Sequence, residues 1–183
     1  MVRLESDRLI LRNYEKRDLN DFYEYMKLEY TAKYDDFEPL DLEQSECLLK
    51  KRRNKDNYLV VELKENNKMI GDVSFDLEEF NTYVISYDFN VKFEKQGYAT
   101  EACSLLVEYI FNTLHGRRIY AECNDDNINS IKLLERLKFR KEAHFIEDVA
   151  LKDDVHGNPI YVNSCLYAIL INEWKSIKVR GKL

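Results

Sequence analysis

Phe89-Asn90-Val91-Lys92-Phe93-Glu94-Lys95-Gln96-Gly97-Tyr98-Ala99-Thr100-Glu101-Ala102 is the stretch on which the reading of this chain turns. The partly alternating apolar run before it, 83–91, reads as a strand. The run after it, 100–114, is amphipathic with a helical period, its apolar face being Ala102, Leu105, Leu106, Tyr109, Ile110 and Leu114, with Gly116 as a C-cap. Between them lies a short loop with two small residues, Gly97 and Ala99. The first amides of a helix have no intrahelical acceptor and point along its axis. A strand-to-helix loop of this kind can therefore hold a phosphate or diphosphate, and small residues let the anion approach the main chain. The same loop also reads as a tight turn that needs one glycine.

Working outward, 9–12 is a first strand. Asp18 can cap a helix in which Leu19, Phe22, Tyr23 and Met26 share a face, and a second helix begins at Asp41 with Leu42, Leu48 and Leu49 as its apolar positions. It closes on Lys50-Lys51-Arg52-Arg53-Asn54-Lys55, a basic run that the helix macrodipole accounts for without nucleic acid. Segments 58–63 and 69–75 form a hairpin about the turn 65–68. Downstream, 119–123 is a strand joined to 83–91 across the long helix, which implies a parallel, right-handed crossover. A further helix spans 127–137, and two last strands, near 143–151 and 160–170, flank the turn 153–159. The architecture is one mixed α/β sheet with helices on both faces.

The 183 residues suit a single domain over 1–183. Hydrophobic residues make up 45% and charged residues 34%, and 13 Tyr and 9 Phe supply a core, so the composition is that of a soluble globular protein. A net charge of −6 with no basic footprint argues against nucleic acid as a partner and mildly favours a cationic substrate. Cys47, Cys103, Cys123 and Cys165 form no Cys-x-x-Cys pair, and no signal core or membrane-length apolar run occurs, which makes the cytoplasm the expected location and no membrane partner expected. His115, His144 and His156 lack ligand-like spacing, so no metal site is expected.

The loop resembles that of the GNAT acetyltransferases. Their cofactor loop reads Arg/Gln-x-x-Gly-x-Gly/Ala, and Glu94-Lys95-Gln96-Gly97-Tyr98-Ala99 lies on it, with Glu94 in place of the usual Arg or Gln. Three further pieces are similar to the branch that acetylates ribosomal-protein N-termini: Leu4-Glu5-Ser6-Asp7-Arg8-Leu9-Ile10-Leu11-Arg12 followed by Asp18; Asn127-Ile128-Asn129-Ser130 followed by 133–139; and Tyr167-Ala168-Ile169-Leu170 running to Glu173-Trp174. Two other positions depart from the pattern: Lys138 stands for the usual Gly before Phe139, and Asn163 for a common Asp.

The resemblance implies a central mixed, mostly antiparallel sheet of about seven strands, acetyl-CoA as cosubstrate, and direct attack by a primary amine in a ternary complex. It implies cofactor contacts from Phe89, Val91, Lys95, Gln96, Gly97, Tyr98, Ala99, Thr100, Asn127 and Ser130, and it allows a homodimer. The strand before the loop splays from its neighbour in family structures, so main-chain groups near Phe89 and Val91 would pair with the pantetheine arm and polarise the thioester carbonyl. The tyrosine that many family members place seven residues after Asn127 is Leu134 here. Ser130 would then hydrogen-bond the CoA sulfur and Asn127 orient the pantetheine; both residues read equally as a helix cap. Candidate bases are Glu147, Asp148 and Asp88. The acceptor expected from the resemblance is a protein or peptide N-terminal amine, the alternatives being a small amine (polyamine, amino acid or aminoglycoside) or a non-catalytic acyl-CoA-binding module.

Overall fold

The computed structural model describes residues 2–179, the last two as backbone only. Eight strands form one sheet: β1 (Arg3–Glu5), β2 (Leu9–Asn13), β3 (Tyr58–Leu63), β4 (Met69–Glu78), β5 (Thr82–Phe89), β6 (Arg118–Asn124), β7 (Arg140–Asp153) and β8 (Pro159–Leu170). Their spatial order is β1-β2-β3-β4-β5-β6-β8-β7. Six helices accompany them: α1 (Leu19–Met26), α2 (Glu29–Ala32), α3 (Leu42–Arg53), α4 (Tyr98–Asn112), α5 (Ile128–Arg136) and α6 (Ile171–Val179). The expected mixed, mostly antiparallel class holds, with one strand more than the seven anticipated. The extra strand is β1, an edge strand of three residues whose burial alternates only once, too short to leave a periodic signal.

Side-chain alternation along the strands feeds two cores. On one face, Leu9, Leu11, Leu59, Val61, Val73 and Ile85 pack against Leu106, Ile110 and Phe111 of α4. On the other, Tyr14, Phe22, Tyr25, Met26, Leu49, Val60 and Met69 close the space under α1 and α3. The second core encloses an ion-pair network: Arg12 bridges Asp18 at 2.7 Å and Glu62 at 2.6 Å, and all three side chains are buried.

Helix α4 starts two residues before its expected position, and its buried stripe is rotated toward Cys103, Val107 and Phe111. Leu105, Tyr109 and Leu114 are only half-buried. The ring of Trp174 on α6 lies 6.2 Å from that of Phe111 and draws that side of α4 inward. Past the helix end, His115 and not Gly116 takes the left-handed backbone, at φ 58°.

The feature that makes a site is a parting of the sheet. β5 and β6 run parallel, and they pair only at Thr82–Arg118, Tyr83–Ile119 and Val84–Tyr120. Beyond these, β5 stays with β4 as far as the Gly71–Phe89 pair, while β6 stays with β8 as far as the Asn124–Ser164 pair. The edge of β5 from Ile85 to Phe89 thus faces an opening. Gly71 is required beside it, since a Cβ there would sit 2.4 Å from the Asp88 carbonyl oxygen.

Candidate active site

The opening is a cavity of about 790 Å³, lined by the free stretch of β5, the loop into α4, the start of α5 and the segment around α2. That volume suits a small-molecule ligand. Because the sheet is parted, side chains from both faces of β5, Tyr87 on one and Asp88 on the other, open into one space.

One end of the cavity is built for an anion. Gly97 is the N-cap of α4, with φ 83° and no side-chain cap, and Lys95 before it also has positive φ. The first hydrogen bond of the helix runs from the Glu101 amide to the Gly97 carbonyl, so the amides of Tyr98, Ala99 and Thr100 have no intrahelical acceptor. Lys95 contributes positive charge here, and Lys132 and Arg136 reach the same cavity from α5. Arg8 braces the loop from the first hairpin. It donates to the Gln96 carbonyl at 3.0 Å and to Glu101 at 2.7 Å, and its guanidinium stacks 4.4 Å from the Tyr98 ring. Sequence reasoning gave no site role to Arg8, Lys132 or Arg136, which lie far from the loop in sequence, although Arg8 and Arg136 fall in the segments that resemble the family.

In the middle, Asn127 caps α5 by accepting from the Ser130 amide at 3.1 Å. The helix-cap reading of this pair is therefore realised. The Ser130 hydroxyl is left for the cavity, where it lies 2.6 Å from the Tyr87 hydroxyl. Burial, with Cys103 nearby, pushes the Tyr87 hydroxyl well up from its ordinary range. Cys123 stands close by, its thiol pushed up to about 11 by burial. Leu134, where a family tyrosine is usual, is fully buried in the core. Tyr87 brings a phenol to the cavity from β5 instead, and only the divergence of β5 from β6 shows that it does.

The far end is acidic. Asp35, just past α2, and Asp88 on β5 line it, and among the described residues no donor reaches either carboxylate. Burial and the neighbouring charge of Asp36 push Asp35 up to about 6. Burial, then the charges of Asp72 and Asp35, push Asp88 well above the usual carboxylate range, against the pull of Arg52.

Other expected residues fall elsewhere. Glu147 and Asp148 are not among the cavity's lining residues: they sit on an irregular, exposed stretch of β7 where the register with β8 shifts. There the Glu147 amide donates to Asn163 at 2.9 Å, and Asp148 accepts from Ser164 at 2.7 Å. Val91 opens a one-turn 3-10 helix rather than extending β5, and neither it nor Gln96 lines the cavity. Glu94 does line it, and its carboxylate is engaged: it accepts from Tyr30 of α2, and Asn129 of α5 donates to it at 3.3 Å. Together with the Asn129–Tyr30 bond of 3.0 Å, these contacts tie α2, the loop and α5 into a strap at the cavity's mouth. The residue that departs from the loop pattern is thus a cross-link.

A family model described as Acetyltransferase (GNAT) domain matches residues 8–140. Over 177 residues the chain is 28% identical to the uncharacterized N-acetyltransferase YnaD of Bacillus subtilis (strain 168), covering 94% of this chain and 99% of that one. The crystal structure of a GNAT-family acetyltransferase from Bacillus anthracis superposes with a TM-score of 0.85 at 27% identity, covering 94% of this chain and all 100% of the other. The spermidine N-acetyltransferase of Vibrio cholerae, solved in complex with CoA and spermine, shares the fold with a TM-score of 0.76 at 20% identity, over 93% of this chain and 99% of that one.

Proposed function

The chain belongs to the GNAT acetyltransferase family and is an N-acetyltransferase, and from that premise we propose that residues 1–183 form one catalytic domain that acetylates the N-terminal amine of a protein or peptide in the parted strand cavity. The observation that carries this reading is the divergence of β5 from β6 directly before the uncapped N-terminus of α4. The residues there fit acetyl-CoA: three free amides and Lys95 for the diphosphate, with Lys132 and Arg136 as further cations. The unpaired edge of β5 offers main-chain groups to which the pantetheine arm can add as a strand does.

When bound, acetyl-CoA supplies the thioester whose acetyl group passes to the amine. The chain's own residues do the rest. Asp88, unpaired at the acidic end, takes in its ionised form the proton that the amine must lose to become a nucleophile, and its raised proton affinity brings it closer to that of the amine. An α-amino group has a pKa near 8, so the proton to be moved is a labile one. The paired hydroxyls of Ser130 and Tyr87 hydrogen-bond the sulfur and can pass it a proton as it leaves. Glu147 and Asp148 have no part in this scheme. The four free thiols support a reducing, cytoplasmic setting.

One observation favours a second reading. Asp35 and Asp88 together give the far end two unpaired carboxylates, which suits a small amine carrying further positive charge. Thiol release from acetyl-CoA, measured across free and N-terminally blocked peptides, polyamines and aminoglycosides, separates the two. Turnover on free peptide N-termini alone supports the first reading. Turnover on small cations alone replaces it with the second. Turnover that survives Asp88→Asn removes Asp88 as the base.

A further inference from the structure

Arg52 belongs to the basic run that closes α3, yet unlike Lys50 and Lys51 it turns inward, its side chain only 13% exposed. Its guanidinium lies 5.3 Å from the ring centres of both Phe22 and Tyr58. One terminal nitrogen donates to both oxygens of Asp72 at 2.9 Å and to the Tyr14 hydroxyl at 3.2 Å. Tyr25 donates to Asp72 at 2.5 Å. The Arg52 Nε is buried and has no hydrogen-bond partner among the described residues. So Arg52 and Asp72 form a desolvated ion pair among the aromatic side chains of the second core, apart from the Arg12 network.

Such a pair is a poor device for stability. The desolvation of two charges consumes most of their attraction, and apolar side chains of the same volume commonly do as well. The place of the pair points to another use. Asp72 on β4 and Asp88 on β5 are partners in register, so their side chains stand side by side on one face of the sheet. Asp88 is the wall of the cavity and Asp72 lies directly behind it.

We propose that Arg52, acting through Asp72, is a positioning residue for Asp88: the ion pair fixes the charge behind the cavity wall so that Asp88 keeps the proton affinity a base needs. This rests on the reading of Asp88 as the base. The charged and titratable groups that face Asp88 are Asp72 on β4, Asp35 after α2 and Arg52 on α3, with Tyr14 and Tyr25 completing the shell around Asp72. Each half of the pair is needed to balance the other. Without Arg52, Asp72 and Asp88 become two facing carboxylates, and one of them holds its proton too tightly to accept another at neutral pH. Without Asp72, the bare guanidinium strips Asp88 of its proton and leaves a weak base. With both present, the pull of Arg52 offsets part of the push of Asp72 on Asp88, and burial and Asp35 add to what remains.

The test is a titration of the aspartate carboxyl carbons by NMR in protein labelled at those positions, the Asp88 signal being identified by its loss in Asp88→Asn. Arg52→Gln is expected to move the Asp88 midpoint up, and Asp72→Asn to move it down, each by about one pH unit. The double variant Arg52→Gln/Asp72→Asn, which buries no unpaired charge and so guards against a misfolded single variant, is expected to lie between them, somewhat below wild type, because Asp72 acts on Asp88 more strongly than Arg52 does. The acid limb of kcat/KM at saturating acetyl-CoA should move with the midpoint in the same three variants. Midpoints that stay put, or that move the same way in both single variants, overturn the proposal. If they stay put while Asp88→Asn abolishes turnover, the base assignment survives and only the role of Arg52 is lost. If they move as stated while Asp88→Asn keeps full turnover, the coupling survives and the base assignment is lost.

Discussion

The hydroxyl of Tyr87 lies 2.6 Å from the hydroxyl of Ser130, joining β5 to the first turn of α5 across the cavity. Ser130 was accessible to sequence reasoning through the family resemblance, which places a serine three residues after Asn127. Tyr87 was not, because nothing in the run 83–89 says that its far end leaves the neighbouring strand. As a pair, the two hydroxyls act as one unit on a departing thiolate. Ser130→Ala and Tyr87→Phe should each lower kcat roughly tenfold or more, and the double variant should be little worse than the weaker single. CoA affinity, read by calorimetry, should stay near wild type in all three. Unchanged kcat in both single variants would remove the pair from the chemistry.

Gly97 holds φ 83° at the head of α4. An L-residue in that region costs about 1–2 kcal/mol, and relaxing the strain would re-aim the amides of Tyr98, Ala99 and Thr100. Gly97→Ala should therefore lower stability by about that amount in urea titrations and raise KM for acetyl-CoA several-fold, with kcat less affected. An unaltered KM would show that the loop does not hold the diphosphate.

The fold was legible where apolar runs are long or periodic. The apolar run 58–63 is found as expected, its hairpin partner runs three residues further, and α4 starts two residues earlier with its stripe rotated. The site was legible only where backbone chemistry leaves a local mark, as Gly97 and Asn127 do. Asp35 sits in a loop without pattern, Arg52 is masked by the solvated lysines beside it, and Asp88, one of three candidate bases in the sequence, is set apart by burial and by its pairing with Asp72 on another strand. Glu94, an unfavourable neighbour for a diphosphate, makes sense once Tyr30 and Asn129 are seen to hold it. Long-range pairing creates each of these roles, and a single sequence does not display it.

Asp35 and Asp88 also predict how stability depends on pH. Their folded carboxyls hold protons more tightly than the unfolded chain does, so the native state binds more protons and stability falls as pH rises. For Asp35 the fall begins near the ordinary value of 3.8 and ends near about 6; for Asp88 it begins at the same point and runs higher. Asp35→Asn and Asp88→Asn should each be more stable than wild type at pH 8 and equal to it at pH 3, as read from urea midpoints. A wild-type advantage at pH 8 would contradict the burial of these groups.

The Arg12 network sits in the core under α1, away from the cavity. Arg12→Met leaves Asp18 buried without a cation and Glu62 with only the half-exposed Arg17, and should cost about 3–5 kcal/mol. Adding Asp18→Asn and Glu62→Gln should recover much of that loss. Both effects are read from denaturant unfolding, and a single-variant loss near zero would mean that water or Arg17, 2.9 Å from Glu62, takes over the charge.

Backbone amide NMR during titration with CoA is the most direct test of the whole account. The account predicts that the N–H signals of Tyr98, Ala99 and Thr100 shift saturably, together with those of the β5 edge from Ile85 to Phe89. Saturable binding that leaves both sets of signals unmoved, or no binding at all, would contradict it.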